Sequence, residues 1–267
     1  MQHNASRPWI VRPRPCAAPR LRLLCAPYAG GGASLFRSWP DRLPPDAEVL
    51  AVQLPGREKR LAEPPCADMG YAVARIFREL LPLLDRPLAL FGYSMGTRIA
   101  YELARTMRLR AGTEPLHLFV AACSAPHVPE SSPPRYDLPD DAFKEALQRL
   151  GGTPPEVLEN AELMDLFLPM IRADFALKEG YVHRPWPPLT CPVTAYGGLG
   201  DAEAPEAAMR AWQASSRGRF RLRLFAGGHF FLHDRESELL EDISQTLAAP
   251  HAVLPADLPR TAPTKRT

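Results

Sequence analysis

No stretch of this chain approaches the roughly 18 consecutive apolar residues that a membrane-spanning helix requires. The first twenty residues hold arginines and prolines where a secretory signal would carry an apolar run. A soluble cytoplasmic protein, free of the membrane, is the expectation. Excess charge of one sign is missing too, since 32 Lys and Arg face 30 Asp and Glu for a formal net charge of +2. That balance removes the broad electrostatic footprint of a nucleic-acid binder. Cysteine is sparse: Cys16, Cys25, Cys66, Cys123 and Cys191 are odd in number, widely spaced and without a C-x-x-C pair. Neither a disulfide framework nor a zinc site follows, and buried, reduced thiols are expected. With no internal repeat and no seam that specifies an oligomer, the expectation is a monomer.

What the chain does have is enough apolar residues, 46% of 267, for one large core or a core carrying an inserted cap. Short apolar runs recur at Leu21 to Ala26, Glu48 to Leu54, Pro87 to Phe91, Leu116 to Ala122, Pro192 to Tyr196 and Phe220 to Phe225, each bounded by Gly, Pro or charge. Helical patterns lie between several of them, over Met69 to Leu84, Met95 to Arg108 and Ala204 to Ala214. Strands alternating with helices predict an α/β fold with a mostly parallel sheet covered on both faces. The rhythm stops between His127 and Pro188, where no strand-like run occurs and short helical patterns are punctuated by Gly-Gly and Pro-Pro. This interval is too long for an ordinary loop and is expected to form a helical lid over one end of the sheet. Residues 1–20 and 249–267, rich in proline and arginine or alanine, are expected as flexible tails around a domain spanning 21–248.

Within "LALFGYSMGTRIAYELA" (Leu88 to Ala104) an apolar run passes through Gly92-Tyr93-Ser94-Met95-Gly96 into a helical pattern. A serine at G-x-S-x-G between a strand and a helix is a nucleophile elbow, whose sharp turn lifts the hydroxyl to the carboxyl edge of the sheet. Serine needs a histidine base and an acid to orient it, in the chain order serine, acid, histidine. That order leaves His229 and His233. His229 follows a strand-like run and Gly227-Gly228, which makes it the candidate base, with His233 on the surface of a helix or supporting the site. The two have neither the H-E-x-x-H pattern nor a third ligand, so no metal is indicated. Asp201 follows another strand-like run and a Gly-rich turn and is the candidate acid; Glu203 is its rival, and a helix-capping role is the simpler alternative for Asp201. The triple glycine in "LLCAPYAGGGASLFRSW" suits an oxyanion loop, with backbone N–H groups from Ala29, or alternatively Tyr28, and from Met95 as donors.

Together "PYAGGGASLFRSW", "VQLPGREKR", "FGYSMGTRIAYELA", "SAPHVP", "DFALKEGY", "YGGLGD" and "GGHFFL" resemble, in order, the type II thioesterases, stand-alone α/β-hydrolases that accompany polyketide synthases and nonribosomal peptide synthetases. The resemblance spans most of Leu21 to Leu247. It implies a triad of Ser94, Asp201 and His229, an oxyanion hole from the N–H groups of Ala29 and Met95, and no cofactor. It also implies hydrolysis of acyl groups stalled on the phosphopantetheine arm of acyl or peptidyl carrier proteins. "QLPGREKR" belongs to the family signature, yet its composition gives Arg57 and Glu58 no chemical task beyond a solvated loop. In "ADFALKEGY", Phe175 and Leu177 are candidate walls of an acyl tunnel, unless the segment is simply an amphipathic helix. The arginines of "ARTMRLR" suit an acidic carrier protein, though a solvated helix end is the simpler explanation. The competing readings are a chain-terminating thioesterase, a small-molecule esterase with the same triad, and a non-catalytic interaction protein on a hydrolase scaffold.

Overall fold

The structure, a computed structural model, describes residues 7–129 and 132–249. Among them, seven strands form one sheet in the order β1-β3-β2-β4-β5-β6-β7, β1 being Ile10–Val11. The central strands are β2 (Leu21–Ala26), β3 (Ala47–Val52), β4 (Leu88–Tyr93), β5 (His117–Ala121) and β6 (Val193–Gly198), with β7 (Phe220–Phe225) at one edge. All of these pair in parallel. Adjacent residues of a strand point to opposite faces, and here each face meets its own apolar layer. Leu24, Leu90 and Leu118 pack with Ile76 of α1 (Met69–Leu80) and Ile99 of α2 (Met95–Ala111). Leu23, Phe91 and Phe119 pack with Leu239 and Ile243 of α7 (Phe231–Ala248). Burial on both faces is why β2 to β6 read as mostly apolar runs, whereas the edge strand β7, half-buried, alternates Phe and Leu with Arg.

The helices start and stop where their sequence directs. Asp68 caps α1, its carboxylate accepting from Tyr71 N at 2.6 Å. The second helix ends at Gly112, whose φ of +64° only glycine adopts without strain. No helix of the described residues is long and apolar enough to cross a membrane.

One expectation is corrected at the N-terminus. The segment read as a tail contributes β1 (Ile10–Val11), antiparallel to β3, and Trp9 is only 2% exposed. Trp9 N and Ile10 N both donate to Glu79 of α1, and the Arg60 guanidinium lies 4.6 Å from the centre of the Trp9 ring. Three apolar residues make no periodic signal, and the groups that hold them sit some fifty to seventy positions away. At the other end, residues 250–267 of the expected tail lie outside the described residues.

Between β5 and β6 stand α3 (Asp140–Leu150), α4 (Pro155–Leu158) and α5 (Ala161–Glu179), and the short α6 (Glu206–Arg210) lies between β6 and β7. Helix α3 ends at Gly151, with φ +72°; α5 is capped by Asn160, which accepts from Leu163 N. Instead of several short helices, the insertion is dominated by this 19-residue α5, which runs straight through Pro169. Its helices share a small core of their own, in which Phe143 meets Phe175 edge-to-face at 5.2 Å.

Candidate active site

Ser94 sits at the junction of β4 and α2 with φ +50° and ψ −114°, a conformation rare for any residue other than glycine. Its N–H donates to Ala121 O of β5 at 2.8 Å, which holds the turn against the sheet. The two flanking glycines are required by proximity rather than by flexibility. A Cβ on Gly92 would lie 2.3 Å from Gly96 O, and one on Gly96 would lie 2.1 Å from Ala26 O and 2.6 Å from Pro27 O. Gly96 therefore lets the first turn of α2 press against the end of β2, bringing the loop that follows β2 beside Ser94.

His229 comes from the loop after β7, where Gly227 has φ +121°. Its Nε2 lies 3.0 Å from Ser94 Oγ, and its Nδ1 lies 3.0 Å from Asp201 Oδ2 and 3.1 Å from Oδ1. Asp201 follows β6 and is buried, with Oδ1 also accepting from Glu203 N and Ala204 N. Burial opposes its charge, but the imidazole and those two N–H groups outweigh it and hold the carboxyl below its usual range. At neutral pH Asp201 is thus an anion that accepts from Nδ1–H, leaving Nε2 to accept from the serine hydroxyl. Gly198 makes this meeting possible, since a Cβ there would lie 2.3 Å from Gly228 O.

The structure separates the alternatives that the sequence left open. Glu203 pairs with Arg135 of the insertion instead of the imidazole. His233 lies on the exposed start of α7, 3.3 Å from the Tyr28 hydroxyl. Ala29 lines the same cavity as Ser94 and His229, and Met95, directly after Ser94, occupies the first helical position, whose N–H has no partner within the helix. Tyr28 turns its ring into that cavity, edge-on to Tyr93 and Phe230. Phe175 lines the cavity, but Leu177 does not: it is buried in the main core beneath α5. Two residues along a helix are about 200° of rotation apart, so the two side chains cannot serve one wall. In the arginine-rich stretch of α2, Arg105 is engaged by Glu102, and Arg108 by Glu114 and the carbonyls of Pro187 and Pro188. Two of its three arginines thus serve the fold.

One supporting group escaped the sequence reading although it adjoins the serine. Tyr93 is fully buried, burial raises its phenol pKa, and its hydroxyl donates to His229 O at 2.6 Å while accepting from Leu232 N at 3.3 Å. Tyr93→Phe strips both backbone groups of their partner, at an expected cost of about 1–3 kcal/mol. It should lower kcat by roughly tenfold, as small displacements of a reacting group do, with little change in KM. Steady-state kinetics and thermal melting check both numbers.

A serine, an imidazole and a carboxylate in hydrogen-bonded series at the carboxyl edge of a mostly parallel sheet define an α/β-hydrolase of the serine type. The chain belongs to the thioesterase family, whose thioesterase-domain profile matches residues 21–247. Gramicidin S biosynthesis protein GrsT of Aneurinibacillus migulanus is 40% identical, the match covering 90% of this chain and 93% of that protein. Thioesterase PikA5 of Streptomyces venezuelae is 39% identical, over 90% of this chain and 85% of its own. Among solved structures, the type II thioesterase BorB from the borrelidin biosynthetic cluster superposes with a TM-score of 0.82 at 37% identity, covering 90% of this chain and 97% of that one. Within the family the chain is a type II thioesterase of polyketide and nonribosomal peptide biosynthesis, a hydrolase acting on thioesters.

Proposed function

We propose that this thioesterase clears stalled or aberrant acyl groups from the phosphopantetheine arm of acyl or peptidyl carrier proteins, with Ser94, His229 and Asp201 as its triad. The observation that carries the reading is the unbroken hydrogen-bonded series from Asp201 through His229 to Ser94 Oγ, opening on a cavity that the insertion walls with Leu147, Ile171 and Phe175. Ser94 Oγ attacks the thioester carbonyl as His229 Nε2 takes its proton. Asp201 holds Nδ1–H and stabilises the imidazolium, and the N–H groups of Ala29 and Met95 receive the oxyanion. Collapse of the tetrahedral intermediate expels the pantetheine thiolate, and His229 returns the proton. Water then repeats the sequence on the acyl-serine. A thiol of pKa about 8.5 leaves with far less protonation than an amine, so a thioester suits this site better than an amide.

The apolar wall favours an acyl chain, and the biosynthetic systems named for the relatives are ones in which acyl groups travel on carrier proteins. Incubation with a panel of acylated carrier proteins, followed by mass spectrometry, tests the assignment. Carrier thioesters should be hydrolysed with a higher kcat/KM than oxygen esters of the same acyl groups. A preference for the oxygen esters would instead make the protein a small-molecule esterase.

A further inference from the structure

The loop carrying "QLPGREKR" has no place in the triad, yet its side chains converge on the glycine loop after β2. Gln53 Oε1 accepts from Ala33 N at 2.9 Å, Glu58 Oε1 accepts from Ser34 N at 3.0 Å, and Arg57 Nη1 donates to Gly31 O at 2.9 Å. Arg57 also forms a two-pronged ion pair with Asp174 of α5, both N–O distances being 2.7 Å. The pair is nearly sealed from water, with side-chain exposures of 4% and 0%. Asp174 Oδ2 then accepts from Gly30 N at 2.7 Å. Tyr28 to Gly31 is a tight turn closed by Gly31 N donating to Tyr28 O, with Gly30 at φ +83°. An acceptor on Gly30 N–H restrains the Ala29–Gly30 peptide, the central peptide of that turn, and with it ψ of Ala29, so the turn that carries the Ala29 N–H is held from the Gly30 side. Met170 and Ile171, on the same face of α5 as Asp174, pack beside Gly56 and Gly30.

We propose that Arg57 and Asp174 are positioning residues that make presentation of the Ala29 N–H conditional on α5 standing over the site. The support is asymmetric. Gln53 and Glu58 grip the far side of the glycine loop at positions 33 and 34, whereas the grip nearest Ala29 belongs to the insertion. With α5 displaced, Gly30 N–H loses its acceptor, and Arg57, left with its longer contacts to Pro55 O at 3.3 and 3.4 Å, loses the ion pair that fixes its hold on Gly31 O. Attack by Ser94 is then without one of its two oxyanion donors. Hydrolysis is thereby confined to the arrangement in which the acyl chain is enclosed.

This rests on the serine mechanism proposed above, with Ala29 N–H as donor. Asp174→Leu should lower kcat about 100-fold, the scale for a lost or misplaced oxyanion donor, while KM changes by no more than about threefold. Binding of a trifluoromethyl ketone analogue, which forms the tetrahedral adduct, should weaken by the same 100-fold as kcat; binding of a non-hydrolysable thioether analogue should not change. Asp174→Leu leaves a buried guanidinium without its ion pair, and Arg57→Met with Asp174→Leu removes that charge and should recover most of the loss in melting temperature. The double variant should nevertheless stay low in kcat, because Gly30 N–H and Gly31 O still lack partners. Asp174→Ala, which likewise leaves Gly30 N–H without its acceptor and adds no bulk, provides the same measurements if the leucine variants fail to fold. Recovery of kcat in step with the melting temperature would reduce the pair to a structural one and overturn the proposal. So would equal weakening of the ketone and thioether analogues. Full turnover in Ser94→Ala would instead strike at the serine mechanism itself, so the two failures are distinguishable.

Discussion

Ser94→Ala should lower kcat by about 10⁴ to 10⁶-fold, the range found when a serine nucleophile is removed and only the oxyanion site and substrate binding remain. Stability should hardly move. The substitution removes one oxygen at a position that is 5% exposed, and alanine meets the same backbone demand at φ +50° as serine does. The loss is also specific in kind. Wild-type enzyme mixed rapidly with an acyl-carrier thioester should show a transient mass increase equal to the acyl group, and the variant should show none. Wild-type turnover in Ser94→Ala would move the nucleophile elsewhere and leave the 3.0 Å contact from Ser94 Oγ to His229 Nε2 without a chemical role.

Gly96→Ala should be the most damaging single methyl addition in the chain's active-site framework. The new Cβ would lie 2.1 Å from Ala26 O and 2.6 Å from Pro27 O, both backbone atoms that cannot rotate aside. Either the first turn of α2 lifts from the sheet or the end of β2 shifts outward, and Ala29 lies just beyond that end. Overpacking of this severity is expected to cost about 3 kcal/mol or more, which is a fall in Tm of roughly 6–12 °C for a domain of this size. Because the shift separates Met95 from Ala29, kcat should also drop by about 100-fold. Gly112→Ala is the control: nothing lies within 4 Å of its Cβ, so only the positive φ opposes it. A cost near 1 kcal/mol with unchanged kcat is expected there. A Gly96→Ala enzyme with normal Tm and kcat would show that the elbow tolerates a spacing the structure says it lacks.

The sheet was legible because β2 to β6 are buried on both faces and read as mostly apolar runs; two of the six runs coincide with the observed strands, and the other four deviate by only one or two residues at either end. Ser94, Asp201 and His229 were legible for a different reason: each follows a strand beside glycines, and the order serine, acid, histidine eliminates most competitors. What escaped was held by partners far away in the chain. Trp9 and Ile10 join the sheet through Glu79. Asp174 reads as an ordinary helix acid until Arg57, 117 positions earlier, appears beside it. Leu177 does not share the cavity wall with Phe175, because helical rotation places the two on opposite faces and a contiguous motif in a helix does not mark one surface. Tyr93 hid in the variable position of G-x-S-x-G, where its hydroxyl has nothing local to bond.

The insertion joins the sheet only between β5 and β6, whereas the hydroxyl, imidazole and carboxylate hang from β4, β7 and β6. The chemistry and the enclosure are therefore separable modules, and exchanging one enclosure for another is a graft with two seams. Both seams can be perfect and the chimera still idle, because the donor helix must arrive with a carboxylate at position 174, facing the glycine loop. Compatibility between transplanted halves would then rest on one acid in a helix that also packs Leu177 into the main core and shapes the space for the acyl chain.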